Sequence, residues 1–175
     1  MKTILAILLV GAVMTWRAAA QETATMGATE NPAMAGNLFR NGDMSNGTMG
    51  WQGDRTFATD DDNRVLVVKA KKNSEQAFSQ SIKTDKLKDV IFKFRYKTAD
   101  YKGRGLELRV RRNDGSSTYR DQELTADGKW HDMTWNFSQV RDHANVVFVI
   151  TVKEGQGTVL FDDIIAVEKK ESASQ

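Results

Sequence analysis

Alternation of apolar and polar side chains is the clearest pattern along the chain. From Ile91 to Lys97, apolar and basic residues alternate strictly, and Leu106 to Arg111 repeats the pattern. A period of two is typical of a β-strand with one buried and one solvated face. Period-two segments and short apolar runs predict about nine strands: Asn37 to Asn41, Arg64 to Ala70, Gln76 to Thr84, Ile91 to Lys97, Leu106 to Arg111, Ser117 to Leu124, Trp130 to Phe137, Asn145 to Lys153 and Val159 to Val167.

Turn residues separate these segments at spacings of roughly 8 to 12 residues, and no stretch has a convincing helical period. Asn113, Asp114 and Gly115 form a tight-turn signal, so the strand from Ser117 is expected to pair back as a hairpin. Alternating faces indicate antiparallel sheets packed face to face. The predicted fold class is all-β, an antiparallel jelly-roll β-sandwich of about nine strands. A barrel and an immunoglobulin-like sandwich remain alternatives that pattern alone does not separate.

The chain ends differ from this strand region. Residues 1–20 combine Lys2, an apolar run and the three alanines Ala18 to Ala20, which predicts a signal peptide that is removed after export. Residues 21–36 are predicted to be a flexible leader, residues 37–168 one domain, and residues 169–175 a disordered tail. We expect a secreted or periplasmic protein without a membrane span, because the apolar run is too short to cross a bilayer.

Charge and cysteine content exclude several classes of function. The chain has 25 basic and 23 acidic residues, and loss of Lys2 and Arg17 with the signal peptide leaves 23 of each. A neutral domain has no overall attraction for nucleic acid, so no nucleic-acid partner is expected. The chain has no cysteine, which excludes disulfides, thiolate metal sites and a cysteine nucleophile. We expect a monomer held together by its apolar core.

Four motifs occur in the order found in one known family. Asn37 to Met44 reads Asn-Leu-Phe-Arg-Asn-Gly-Asp-Met and is followed by Gly50 and Trp51. An alternating strand then precedes a glycine-rich turn, Gly128 and Trp130 precede another strand, and Phe161 to Ile164 reads Phe-Asp-Asp-Ile. This set resembles the jelly-roll carbohydrate-binding modules appended to bacterial cellulases and xylanases, which share the galactose-binding-like superfold. The resemblance spans roughly Asn37 to Val167.

The resemblance implies a non-catalytic protein that binds a polysaccharide or oligosaccharide in a shallow groove. It also implies that the opening stretch lies beside the last strand. Modules of this family often hold a structural calcium ion there, which assigns Asp43 and Asp162 as its ligands. The family has a glutamate where this chain has Ser45, a departure that weakens the calcium prediction.

The candidate sugar-binding residues lie on the solvated side of the alternating strands. The strands from Ile91 and Leu106 are predicted to be neighbours, so their charged side chains share one outer face. If that face is concave, these groups can bind sugar hydroxyls or uronate carboxylates. Tyr101 is placed at the rim of this groove, and the next hairpin strand completes it. The predicted carbohydrate-binding residues are Arg95, Tyr101, Glu107, Arg109, Tyr119 and Gln122.

Other interpretations of the same residues stay open. The charges can form ordinary cross-strand pairs on a solvated face, and period-two aromatic residues such as Phe92 and Trp135 are typical of a core. Trp51 is expected to pack in the core and not to stack on sugar. A secreted structural or protein-interaction module on the same fold is the main alternative function. A small glycoside hydrolase that uses Glu107 and Glu123 is a weaker one, and we predict no enzymatic activity.

Overall fold

A computed structural model describes residues 35–47, 49–84, 87, 89–138, 140 and 143–169 of the 175-residue chain. The predicted signal peptide, nearly all of the predicted leader and residues 170–175 of the predicted tail lie outside the described residues and stay predictions. Within the described part, regular secondary structure consists of strands, and no helix there is long and apolar enough to cross a membrane.

Ten strands make up the described domain. Their bounds are β1 Gln52–Gly53, β2 Thr56–Asp60, β3 Asn63–Lys69, β4 Gln76–Lys83, β5 Val90–Gly103, β6 Leu106–Arg112, β7 Ser117–Gln122, β8 His131–Phe137, β9 Asn145–Val152 and β10 Gly155–Glu168. The predicted strands match eight of these, and the structure differs from the prediction in the first part of the domain. Residues 38–41 form bends and not the predicted first strand, and β2 was missed because its short polar segment alternates weakly.

The strands form two antiparallel sheets that pack face to face. Sheet A has the order β1-β4-β9-β6-β7, and sheet B has the order β2-β3-β10-β5-β8. This arrangement confirms the predicted all-β jelly-roll sandwich. The hairpin of β6 and β7 is confirmed, and β9 lies in the centre of sheet A between β4 and β6. Only one side of each sheet faces the core, so the sandwich has two separate outer faces.

Aromatic side chains join the two sheets in the core. Phe92 of β5 stacks on Phe148 of β9, with ring centroids 4.2 Å apart and planes 5° from parallel. Phe39 and Trp51 of the opening stretch pack against this group, and Trp51 is only 2% exposed. The expectation that Trp51 is a core residue is therefore confirmed. Each such aromatic pair contributes about 0.5–1.5 kcal/mol beyond the burial of its apolar area.

The opening stretch lies beside β10, as the resemblance implies. The side-chain amide of Asn37 donates to the carbonyl oxygen of Ile164 at 2.9 Å, and its oxygen accepts from the backbone N–H of Ala166 at 2.8 Å. The backbone N–H of Ile164 donates to the carbonyl oxygen of Gly42 at 2.9 Å. Because β3 pairs with β10 only from Thr158 to Phe161, the opening stretch takes the place of a strand along the rest of β10.

Replacement of Gly42 by alanine is expected to destabilise the domain. A β-carbon at Gly42 would lie 2.0 Å from the carbonyl oxygen of Ile164, so the two backbones would have to separate. Overpacking of this kind costs about 1–3 kcal/mol, measured as the free energy of unfolding in urea. Gly115→Ala is the control, because its β-carbon meets nothing within 4 Å and only its positive φ opposes the change. Equal losses in both variants would contradict the close approach at Gly42.

Candidate functional site

The two alternating strands that define the predicted groove belong to different sheets. β5 lies in sheet B between β10 and β8, whereas β6 lies in sheet A between β9 and β7. The prediction that they are neighbours is therefore wrong. The turn at residues 103–105 carries the chain from one sheet to the other and does not close a hairpin. As a result, Arg95 lies on the opposite outer face from Glu107 and Arg109, and these residues do not form one groove.

Tyr101 does not lie at the rim of a groove, because its side chain points into the core and is 6% exposed. Its hydroxyl accepts from the backbone N–H of Gly105 at 2.9 Å and donates to the carbonyl oxygen of that residue at 3.2 Å. Burial raises the pKa of Tyr101, against smaller opposing effects of the bond from Gly105 and the charge of Lys153. The reason for its position is a bulge: Asp100 has a positive φ, and the register with β10 shifts there.

Side-chain size varies across the outer face of sheet A. One row of directly paired residues runs from β1 to β7, and its members are Gln52, Ser79, Val149, Arg109 and Tyr119. Side chains at directly paired positions of a sheet project from the same face. The row therefore has small side chains on β4 and β9 and long ones on both sides of them. We call this surface the sheet A groove.

The side of the sheet A groove that β6 and β7 form carries three of the six predicted sugar-binding residues. Arg109 Nε lies 2.8 Å from Glu107 Oε1, so the two charged groups hold each other in place. Tyr119, directly opposite Arg109 on β7, is 66% exposed. Gln122 lies on the other side of β7, where it binds Arg120 and the backbone of Glu123. The structure thus brings together Glu107, Arg109 and Tyr119, and separates the other three.

Arg95 belongs to a cluster on the outer face of sheet B. Its guanidinium carbon lies 4.9 Å from the ring centre of Trp130, and its Nη1 lies 3.4 Å from Asp163 Oδ2. Asp60 Oδ2 accepts from Trp130 Nε1 at 3.2 Å, and Lys97 Nζ lies 2.9 Å from both oxygens of Asp60. We call this arrangement the Trp130 cluster. It joins the edge strand β2 to β5 across the sheet.

The Trp130 cluster was missed in the sequence, although the sequence contains a signal for it. Met133, Trp135 and Phe137 are the buried residues of β8, so residues of even number on this strand point outward. Trp130 lies directly before the strand and also has an even number, so its side chain is expected to point outward. A large aromatic ring that points outward cannot be buried in the core. Cationic side chains on a neighbouring strand can instead pack over its face.

The two predicted calcium ligands have separate partners. Asp43 Oδ1 accepts from the hydroxyl of Ser45 at 2.9 Å and from its backbone N–H at 3.3 Å. Asp162 Oδ2 accepts from Asn63 Nδ2 at 2.6 Å. The described residues contain no group of three or more histidine, aspartate or glutamate side chains suited to a metal. Calcium takes about six to eight oxygen ligands, more than this set provides, and the calcium ion stays a prediction from the resemblance.

Asp162 is the acidic residue of sheet B whose pKa is shifted most. Its side chain is 1% exposed, and Oδ1 has no hydrogen-bond donor among the described residues. Burial raises the pKa of Asp162 to about 6; the bond from the backbone N–H of Asp163 opposes this, and the Asp163 charge adds to it. Arg95 and Asn63 lower the pKa by smaller amounts. The carboxylate is thus charged at neutral pH in a site that disfavours its charge.

Comparison with known proteins assigns the fold to a class. The sequence matches no family model and no curated protein. The structure, however, has the jelly-roll fold of carbohydrate-binding modules, and modules of several families are among the solved structures similar to it. The resemblance in fold that the sequence motifs predict is therefore confirmed. At the identities found, the likeness shows the fold alone.

Three solved structures illustrate this likeness. A family 61 carbohydrate-binding module, solved with β-1,4-galactotriose, has 14% identity and a TM-score of 0.61 over 76% of this chain and 99% of its own. A family 16 carbohydrate-binding module has 16% identity and a TM-score of 0.61 over 75% and 100%. The enzymatically active domain of tailspike protein 4 of bacteriophage CBA120 has 11% identity and a TM-score of 0.62 over 77% of this chain, which spans only 22% of that protein.

Replacement of Asp162 by asparagine is expected to stabilise the protein at neutral pH. Because the pKa of about 6 lies above the ordinary value of 3.8, the native state binds more protons than the unfolded state between these values. Stability therefore falls as the pH rises from about 4 to about 6 and stays lower above it. Asparagine removes the charge and can still accept from Asn63, so Asp162→Asn should gain about 1–3 kcal/mol at pH 7.5.

The measurement is urea unfolding of the wild type and Asp162→Asn between pH 3.5 and 8. The difference in unfolding free energy should be small at pH 3.5 and should grow through pH 4 to 6. Asp62→Asn, which removes an exposed carboxylate from the turn after β2, is the control for a general change of charge. A pH-independent difference for Asp162→Asn would contradict the raised pKa.

Proposed function

We propose that this protein is an exported, non-catalytic carbohydrate-binding protein that holds a polysaccharide or oligosaccharide in the sheet A groove. The observation that carries the proposal is the exposed ring of Tyr119, which lies beside the Arg109–Glu107 pair and a floor of small side chains. The jelly-roll fold, shared with modules that bind sugars, supports it. Export follows from the predicted signal peptide, and we expect the protein to act as a monomer.

The chemistry of the groove suits a sugar chain. An exposed aromatic ring can stack on the apolar C–H face of a pyranose, and Tyr119 has the exposure for this contact. Sugar hydroxyls both donate and accept hydrogen bonds, so they can bind Arg109 and Glu107 at once. The floor of Ser79 and Val149 leaves room for the chain between these groups and Gln52. A shallow site of this kind is expected to bind with modest affinity.

Binding without catalysis is the function that the acidic groups of this face support. Glu107 and Asp121 are direct partners on β6 and β7, a pairing that a glycoside hydrolase would need. Each, however, is held by a cation: Glu107 by Arg109 and Asp121 by Lys153, whose Nζ lies 2.6 Å from Asp121 Oδ1. Both carboxylates are thus engaged with cations, whereas hydrolysis needs one carboxyl group that is available to the glycosidic oxygen. We expect no release of reducing sugar from any bound polysaccharide.

Tyr119→Ala is expected to weaken polysaccharide binding at least tenfold, because it removes the stacking surface without changing the core. The measurement is affinity electrophoresis of the folded protein through gels that contain xylan, β-glucan, mannan or an acidic polysaccharide. Arg120→Ala is the matched control, since it changes the next residue on the same strand, whose side chain points to the other side of the sheet. This control should migrate like the wild type.

Two outcomes would contradict the proposal. One is a folded wild-type protein that none of the polysaccharides retards. The other is retardation that is the same for Tyr119→Ala and the wild type, which would move the site away from the sheet A groove. Isolation of a specific protein partner whose binding does not depend on glycan would instead favour a protein-interaction module.

A further inference from the structure

A depression lies on the outer face of sheet B, on the opposite side of the core from the sheet A groove. It has a volume of about 360 Å³, within the range of pockets that bind small ligands. It crosses three adjacent strands, β8, β5 and β10. The side chains that line it on the outer face are Lys93, Arg95, Asp132, Thr134, Asp163 and Ile165. We call it the sheet B depression.

A β-bulge in β10 shapes the sheet B depression. Asp162 pairs with Arg95 and Ile165 pairs with Lys93, so the two residues between them on β10 lie opposite the single residue Phe94. Asp163, the first residue of the bulge, has a φ of 49°. A bulge changes the direction of a side chain and bends its strand, and bulges are frequent next to functional sites. Here the bulge brings the carboxylate of Asp163 to the guanidinium of Arg95.

Arg95 is held in a fixed position at one side of the sheet B depression. Trp130 covers one side of its guanidinium, and Asp163 binds one of its nitrogen atoms. Trp130 is itself anchored through its indole N–H to Asp60. Groups that are already ordered lose little conformational entropy when a ligand binds. The remaining N–H groups of Arg95 are thus directed donors at the edge of the depression.

Three other polar groups of the sheet B depression have no partner within the described part of the chain. The side chains of Lys93, Asp132 and Thr134 make no hydrogen bond or ion pair with another described residue. Asp132 is the direct cross-strand partner of Arg95, and Thr134 is that of Lys93. A cationic donor, a carboxylate acceptor and a hydroxyl therefore lie close together on two neighbouring strands. The half-buried side chain of Ile165 adds an apolar surface on the third strand.

The balance of charge indicates the class of ligand. The depression contains two cations, Lys93 and Arg95, and two carboxylates, Asp132 and Asp163. An anion or a cation would meet a repelling group beside each attracting one, whereas a neutral polyhydroxyl ligand can donate to the carboxylate and accept from the ammonium group. We propose that the sheet B depression is a second carbohydrate-binding site, which takes a neutral sugar residue of an oligosaccharide or polysaccharide.

A site in this position gives the protein two binding surfaces that face away from each other. One short, stiff sugar chain cannot reach both, so the second site does not raise the affinity for a single chain. It instead allows one protein molecule to bridge two chains. The inference does not depend on binding in the sheet A groove, because the sites share no residue and lie on different sheets.

The test measures the number of bound oligosaccharides by isothermal titration calorimetry. The probes are neutral oligosaccharides prepared from xylan, β-glucan, mannan and galactan. Each is titrated into the wild type, into Tyr119→Ala, and into Tyr119→Ala combined with Asp132→Ala, Lys93→Ala or Asn136→Ala. We expect residual binding, at least tenfold weaker than that of the wild type, to persist in Tyr119→Ala and to fall at least tenfold further when Asp132→Ala or Lys93→Ala is added to that variant. Asn136→Ala is the matched control, because it changes an outward residue of β8 outside the depression. Circular dichroism of each variant establishes that it is folded.

The outcomes separate the two proposed sites. Loss of all neutral-sugar binding in Tyr119→Ala would overturn the second site and leave the sheet A groove intact. Binding that survives Tyr119→Ala and responds equally to Asp132→Ala and Asn136→Ala would also overturn it, as would a response only to charged oligosaccharides. A wild-type protein that makes soluble polysaccharide turbid, together with Asp132→Ala that does not, would support bridging by the sheet B depression.

Discussion

The hydrogen bonds between the opening stretch, Asn37 to Trp51, and the backbone of Ile164 are the interaction on which the rest of the domain depends. β10 has β3 as a neighbour only along its first half, so the second half would expose unpaired peptide groups at this side. Gly42 accepts from the N–H of Ile164, and the side chain of Asn37 serves both Ile164 and Ala166. Buried peptide groups that lack partners cost about 1–3 kcal/mol each. The first residues of the domain therefore complete its last strand.

The same contact lies at the bulge that shapes sheet B. Ile164 is the inward residue of the bulge and packs in the core, while Asp163 before it reaches the outer face and pairs with Arg95. Asp162, one residue earlier, is left buried with one oxygen unpartnered among the described residues. Of these three consecutive residues, Ile164 thus lies in the core, Asp163 lies on the outer face, and Asp162 is buried within the sheet. A buried carboxylate is destabilising by itself, and the charge of Arg95 on the neighbouring strand offsets part of this cost.

The sequence predicts the strands well and their neighbours poorly. Alternation identifies which residues of β5 and β6 share a face, because that property belongs to each strand alone. Which strand lies beside another depends on packing across the core, and a glycine-rich turn serves a hairpin and a crossing between sheets equally well. Glu107, Arg109 and Tyr119 were predicted together correctly because the hairpin turn at Asn113 to Gly115 fixes their register. Arg95 was grouped with them only because β5 and β6 were wrongly expected to lie side by side.

Bulges explain a second difference, the burial of Tyr101. An extra residue reverses the alternation of a strand beyond it, so every side chain after the bulge changes face. Asp100 and Asp163 both have a positive φ, a conformation that aspartate tolerates better than most residues but that no sequence pattern requires. The first of them turns Tyr101 from the predicted surface into the core. The position of such a residue follows from contacts made by the folded chain, which the alternation along a single strand does not contain.

The two outer faces differ in how their aromatic residues are used. Tyr119 is mostly exposed, so its ring is free to take a ligand and must be ordered when one binds. Trp130 is already engaged with Arg95 and Asp60, so it acts on a ligand only through the arginine that it positions. An adaptable surface tolerates several related sugar chains, whereas a rigid set of charged groups selects the arrangement of hydroxyls. If both faces bind sugars, the sheet A groove is expected to be the more permissive of the two.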